Sequence, residues 1–242
     1  MIKYDFHTHL GLTSSGETNS AAQLVFELSQ LGISKAGVMN TNNQPTRERN
    51  DYIYQAMQEF PDFLEGYAFI NPKEKDVFNE IDRCLGDYKM TGCKFQPYRH
   101  GYYSDNCPQL DDVITAIENY GRHIQVHVGT SPLCTPYVWT ELAKKHKNMR
   151  FVFTHMGEKE FGYTVIELIK NIPNISVETS AQMEREILLK AAKELGYRRI
   201  LFGTDWPYKP SKAEMNKILL LGFTDSELEY VYHKNAEELW AR

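Results

Sequence analysis

Cysteine is scarce in this chain of 242 residues: there are four, Cys84, Cys93, Cys107 and Cys134, and none belongs to a C-x-x-C pair. Single thiols this far apart in sequence argue against a zinc ribbon and against a disulfide framework. Long apolar runs are missing too. The opening "MIKYDFHTHLG" lacks the apolar stretch of an export signal. No segment stays apolar for the roughly 20 residues that span a bilayer. The expectation is a cytoplasmic protein with no membrane partner. Charge of one sign is nowhere concentrated. "KEKD" and "EKE" mix signs, "RER" is brief, and all three read as solvated helix surface. With 27 Lys and Arg against 32 Asp and Glu, formal charge −5, the chain offers no basic face to nucleic acid. A G-x-G-x-x-G turn after the first strand-like segment is also absent, which weighs against an open doubly wound sheet. No repeat, low-complexity tract or Pro/Gly-rich linker splits the sequence, so a single domain over residues 1–242 is expected.

What is present is alternation. Eight short segments, "IKYDFHT", "KAGVMN", "LEGYAFIN", "GCKFQP", "HIQVHV", "RFVFTH", "ISVETS" and "RILFGTD", are rich in β-branched and aromatic residues and bounded by Gly, Pro, Asn or Thr. Between them run helical patterns such as "AAQLVFELSQLG", "LDDVITAIENYG" and "REILLKAAKELG". Eight strand–helix units predict an α/β fold, a (β/α)8 TIM barrel. The closing "DSELEYVYHKNAEELWAR" adds one or two extra C-terminal helices against the barrel bottom or side.

In such a barrel the working face lies at the C-terminal ends of the strands. His7 and His9 end the first strand, and residues two apart on a strand point the same way. His127 ends the fifth, His155 the sixth and Asp205 the eighth. Lys94 and Gln96 come from the fourth and Glu178 from the seventh. Each has a plainer reading: a hydrogen-bonded loop histidine, an Asx turn at Asp205, a Lys94–Glu178 ion pair. Taken together they carry more weight, because imidazole nitrogens and a carboxylate suit a divalent transition metal such as zinc.

These stretches resemble the amidohydrolase superfamily of metal-dependent barrels. The closer likeness is to the amidohydrolase-related branch that includes aminocarboxymuconate-semialdehyde decarboxylase. It rests on "DFHTHLG", "GCKFQPYRHGYYSDNCPQL", "QVHVGTSP", "FVFTHMG", "FGTDWPY" and "NAEELW", and it runs nearly end to end. The resemblance implies that His7, His9, His127 and Asp205 hold one ion, with His155 beside it as acid/base. Binuclear relatives carboxylate the β4 lysine as a bridge, so Lys94 and His155 are the candidates for a second ion, and one ion is favoured. TatD-type nucleases place a glutamate on strand four, where this chain has Lys94. PHP-type proteins need further His and Glu ligands and a phosphate-binding cluster.

The loop "QPYRHGYYSDNCP" supplies candidate substrate contacts: Arg99 for a carboxylate, and Tyr98 and Tyr102 for a planar pocket, with His100 and Tyr103 close by. The plainer alternative pairs Arg99 with Asp105. Arg47 and Arg49 have a similar claim on an anion, and Trp206 is a candidate pocket wall, followed by Pro207. The implied function is hydrolysis of a small-molecule amide, ester or lactone by a metal-activated water, with Asp205 and His155 moving protons. The alternative is non-oxidative decarboxylation of a small unsaturated or aromatic acid. The resemblance also implies a homodimer. A non-catalytic binding barrel is disfavoured because every ligand position is filled.

Overall fold

The eight strand-like segments form eight parallel strands. In a computed structural model, which describes residues 1–13 and 16–241, they are β1 (Tyr4–His9), β2 (Lys35–Met39), β3 (Leu64–Phe69) and β4 (Gly92–Phe95), followed by β5 (His123–His127), β6 (Phe151–Thr154), β7 (Ile175–Glu178) and β8 (Ile200–Leu201). Each pairs with the next in chain order. The β8 ladder is short, yet the chain beyond it closes the ring. Phe6 N donates to Phe202 O at 2.9 Å, Asp205 N to His7 O at 2.8 Å and His9 N to Trp206 O at 2.7 Å. The architecture is a TIM barrel.

The surrounding helices are α1 (Ala21–Gln30), α2 (Thr46–Glu59), α3 (Val77–Ile81, continued by a π-helical turn), α4 (Leu110–Asn119), α5 (Pro136–Lys145), α6 (Glu158–Ile169), α7 (Arg185–Leu195) and α8 (Ser211–Ile218). Their sequences explain their placement. In α4, Leu110, Val113, Ile114 and Ile117 recur at helical spacing, and these are the residues it buries. The strands are almost wholly buried on both faces, as a helix-wrapped parallel sheet requires. In β6, Phe151 and Phe153 join the outer core between sheet and helices, whereas Val152 belongs to the inner core.

That inner core, with Phe6, Tyr67, Val152, Leu201 and Trp240, fills the N-terminal end of the barrel. Trp240 comes from α10 (Asn235–Trp240), reached through α9 (Asp225–Glu229) and a π-helical turn. Its ring stacks on Phe6 at 5.6 Å, and its Nε1–H donates to Tyr67 Oη at 2.6 Å. The C-terminal segment therefore seals the barrel bottom and leaves the opposite mouth open. Among the described residues no helix is long and apolar enough to cross a membrane.

Candidate active site

The site begins with an irregularity in β1, whose register against β2 shifts between Asp5 and Thr8. Strict alternation from the inward Phe6 would turn His7 outward. The shift re-aims the chain, so His7 meets Glu178 and Lys94 inside the barrel while Thr8 Oγ1 donates to Gly37 O at 2.9 Å. Asp5 anchors this segment to the chain just past β8, accepting from Thr204 N at 2.9 Å and Thr204 Oγ1 at 2.5 Å. Burial pushes the Asp5 carboxyl up to about 7, against those hydrogen bonds.

Above the floor the polar side chains converge. His9 Nε2 lies 3.0 Å from Asp205 Oδ1, and His7 Nε2 is 4.0 Å from the same oxygen. His7 Nδ1 is 3.1 Å from Glu178 Oε2, and His9 Nδ1 is 3.2 Å from Thr41 Oγ1. Lys94, wholly buried, donates to His7 Nε2 at 3.2 Å and to Thr154 Oγ1 at 3.0 Å. The His155 ring centre is 5.0 Å from that of His7 and 4.7 Å from that of His127. The Lys94–Glu178 ion pair of the plainer reading is replaced by a contact through His7, which stands between the two.

Burial dominates the electrostatics here. It drives His7, His127 and His155 well below the ordinary imidazole value, and the nearby Lys94 adds to the effect. It lowers His9 too, against the opposing pull of Asp205. Lys94 is lowered and Glu178 raised for the same reason. The imidazoles are thus neutral, the form in which histidine ligates a metal.

The backbone is strained around the same cavity. Seven described non-glycine residues have positive φ, and six of them follow β5, β6, β7 or β8: Thr130, His155, Met156, Glu158, Ala181 and Asp205. Such conformations cost about 1–3 kcal/mol each and persist where the surroundings over-determine them. At Asp205 (φ 59°) the hydrogen bond to His7 O holds the carboxylate turned toward His9.

The donors present suit a divalent cation. His7, His9 and Asp205 bring ligand atoms within 4.8 Å of one another, as do His7, His155 and Glu178. His127 falls instead with His155 and Glu158, because β5 stands across the mouth from β1. Its Nε2 is buried without a partner, a lone pair or proton with nothing to meet it.

A cavity of about 220 Å³ opens over this cluster, lined by His9, Gln96, Tyr98, Arg99, His127, His155 and Asp205 among others. Arg99 and Tyr98 are therefore at the expected place. Trp206 and Tyr102 are not. The left-handed turn at Asp205 sends Trp206 outward, where its Nε1–H donates to Glu27 Oε2 on α1 at 2.7 Å and it lines a separate groove. Tyr102 is buried beneath its own loop, away from the cavity. Arg49 is no solvated charge either: it is buried, donating to Asn42 O and Thr46 Oγ1 and stacking on Phe69. Arg47 is exposed and His100 packs against Phe69, so neither reaches the cavity.

Glu158, read in the sequence as part of a solvated "EKE" run, lines the cavity, as do Thr41, Thr130, Tyr208 and Lys209. Its position just past the strand-six histidine was the available signal. Ser180 and Thr154, which touch His155 and Lys94, lie in "ISVETS" and "FVFTHMG", but the signal of those stretches is their glutamate and histidine.

The family model described as Amidohydrolase matches residues 5–242. The chain belongs to the amidohydrolase family. None of the curated proteins matches it by sequence. Among solved structures this amidohydrolase is similar to a 2,6-dihydroxybenzoate decarboxylase from Rhizobium, at 16% identity and TM-score 0.78 over 99% of this chain and 98% of that one. It is also similar to a dihydroxybenzoic acid decarboxylase from Polaromonas with bound manganese and the inhibitor 2-nitroresorcinol, at 15% identity and TM-score 0.79 over 99% and 96%. A probable 2-pyrone-4,6-dicarboxylic acid hydrolase from Acinetobacter baumannii, with citric acid bound, matches at 15% identity and TM-score 0.79 over 100% of both chains. At these identities the likeness is one of fold.

Proposed function

We propose that this amidohydrolase is a metal-dependent hydrolase that opens an amide, ester or lactone bond of a small carboxylated molecule. The observation that carries the reading is the convergence of buried His7, His9 and Asp205 beneath a cavity that also presents Arg99. His7, His9 and Asp205 would hold a divalent ion, with His127 and His155 adjacent, and the ion would supply Lewis acidity that polarises a carbonyl and lowers the pKa of water. Zinc suits nitrogen and carboxylate donors, and manganese, found in the Polaromonas structure, is the other ion to test.

The chain's own residues do the rest. Asp205 takes the proton of the attacking water on its carboxylate and returns it to the leaving group. His155, kept neutral by burial and tied through Nδ1 to Ser180, has Nε2 free to hold a proton. Arg99 binds the substrate carboxylate with its planar guanidinium. Tyr98 and Tyr208 wall the cavity and limit water around the reacting bond.

Non-oxidative decarboxylation of a small aromatic or unsaturated acid is the second reading. The two decarboxylases above, matched over nearly all of both chains, favour it, and so does the Tyr98 ring 5.4 Å from that of His127, which suits a planar substrate. Zinc- and manganese-loaded protein should be given two panels: carboxylated esters, lactones and amides, followed by acid release, and aromatic or unsaturated acids, followed by carbon dioxide release. Turnover of the first panel alone supports hydrolysis. Carbon dioxide alone replaces it with decarboxylation. A metal-binding protein that turns over neither would be a binding barrel.

A further inference from the structure

Ser180, on the turn after β7, touches two of the site's histidines at once. Its Oγ is 2.8 Å from Glu178 Oε2, 3.0 Å from His155 Nδ1 and 3.3 Å from His7 Nδ1. A hydroxyl has a single proton to give, and a carboxylate only accepts. Glu178 also accepts from Ser180 N and faces His155 N, a donor set that suits its ionised form; in that form it takes the hydroxyl proton, and only the lone pairs of Oγ remain for the two rings. Both Nδ1 atoms must then carry hydrogen. Independent contacts agree. His155 Nδ1 is also 3.2 Å from the Ser180 carbonyl oxygen, which can only accept. His7 Nδ1 is 3.1 Å from Glu178 Oε2, and its other nitrogen receives a hydrogen bond from Lys94 Nζ.

We propose that Ser180 is a positioning residue: it fixes His155, and with Glu178 also His7, in the Nδ1–H tautomer, so that the Nε2 lone pair of His155 is left for the cavity and that of His7 faces Lys94 and Asp205.

The turn is built to hold it there. Ser180 is wholly buried, and its N–H donates to Glu178 Oε1. From α8, Glu214 Oε2 accepts from Ala181 N at 3.2 Å, and Lys217 Nζ donates to Thr179 O at 2.7 Å and Gln182 O at 3.2 Å. A ring fixed by a partner on its far nitrogen is a better ligand and a better-aimed base than one free to flip. His155 accordingly offers the cavity an acceptor, and it donates there only after taking up a proton.

The proposal rests on the metal-dependent reading for its purpose but not for its test. Metal-free full-length protein labelled with 15N-histidine reports each tautomer through its ring nitrogen shifts, assigned with His7→Gln and His155→Gln. His7 and His155 are expected as Nδ1–H. In Ser180→Ala only the longer contact to the carbonyl of residue 180 is left to His155 Nδ1, so the Nδ1–H fraction of His155 should drop, zinc affinity by calorimetry should fall about 10–100-fold, and Ser180→Thr should restore both. An Nε2–H His155 in the unsubstituted protein overturns the proposal with no variant needed. So does a Ser180→Ala protein that keeps the tautomer and holds zinc within about twofold. Neither readout involves substrate, so failure of the hydrolase reading leaves this result standing, and the reverse also holds.

Discussion

Lys94 Nζ lies 3.2 Å from His7 Nε2, the nitrogen that also faces Asp205. Its second bond, to Thr154, draws it toward the end of β6 rather than into the space shared by His127, His155 and Glu158. We propose that a lysine engaged in this way does not bridge two ions. Protein purified without chelator should therefore carry about one divalent ion per chain by elemental analysis. About two would mean that Lys94 leaves His7 and that the His127 group binds the second.

Asp205 is at once a candidate ligand and the proposed base. Asp205→Asn keeps the size of the side chain and its place at the left-handed turn but removes the charge. Its turnover should fall by about 10²–10⁴-fold, the usual weight of a general base, with a melting temperature close to the parent's. The His7→Ala/His9→Ala protein should also lose its bound metal. Full activity in that protein would sink the metal-site reading.

The barrel and most of its mouth were legible in the sequence because both rest on local rules. Strand-sized apolar runs separated by amphipathic helices fix the eight units, and strand ends fix the working face, so His7, His9, His127 and Asp205, with His155 beside them, could be assigned to one mouth on paper. Trp206 could not be placed, because its direction depends on the φ of Asp205, which only the completed hydrogen bond to His7 determines. Arg49 looked like surface charge because "RER" says nothing of the Asn42 carbonyl seven residues back in the chain. Ser180 and Thr154 did not stand out because the histidines and the lysine they touch include residues of other strands, His7 for Ser180 and Lys94 for Thr154.

Arg99 reaches the cavity with Nε buried and unpartnered, which marks it as a donor with capacity to spare. If it clamps a carboxylate remote from the reacting bond, the contact is the same in ground and transition states. Arg99→Met should then raise KM by about 10–100-fold, the value of a hydrogen bond to a charged group, with little change in kcat. An equal fall in kcat with KM unchanged would place Arg99 at the reacting centre instead.

At the other end of the barrel, His123 predicts how the fold responds to acid. Its Nε2 is 2.8 Å from Tyr67 Oη, which in turn accepts from Trp240, and burial pushes its imidazole down from 6.5 to about 3. Between those values the unfolded chain binds a proton that the folded chain refuses, so stability rises with pH across the window and is lost as pH falls through it. His123 alone contributes up to about 1.4 kcal/mol for each pH unit. His7, His127 and His155 slope the same way, so the measurement is a difference: urea unfolding of metal-free protein and of His123→Gln at intervals from pH 7 to pH 4. The variant should start less stable, having lost the histidine from the Tyr67–Trp240 chain, and should lose stability more slowly as acid is added. Parallel curves would show that the proton enters elsewhere and that the barrel bottom is not where acid opens the fold.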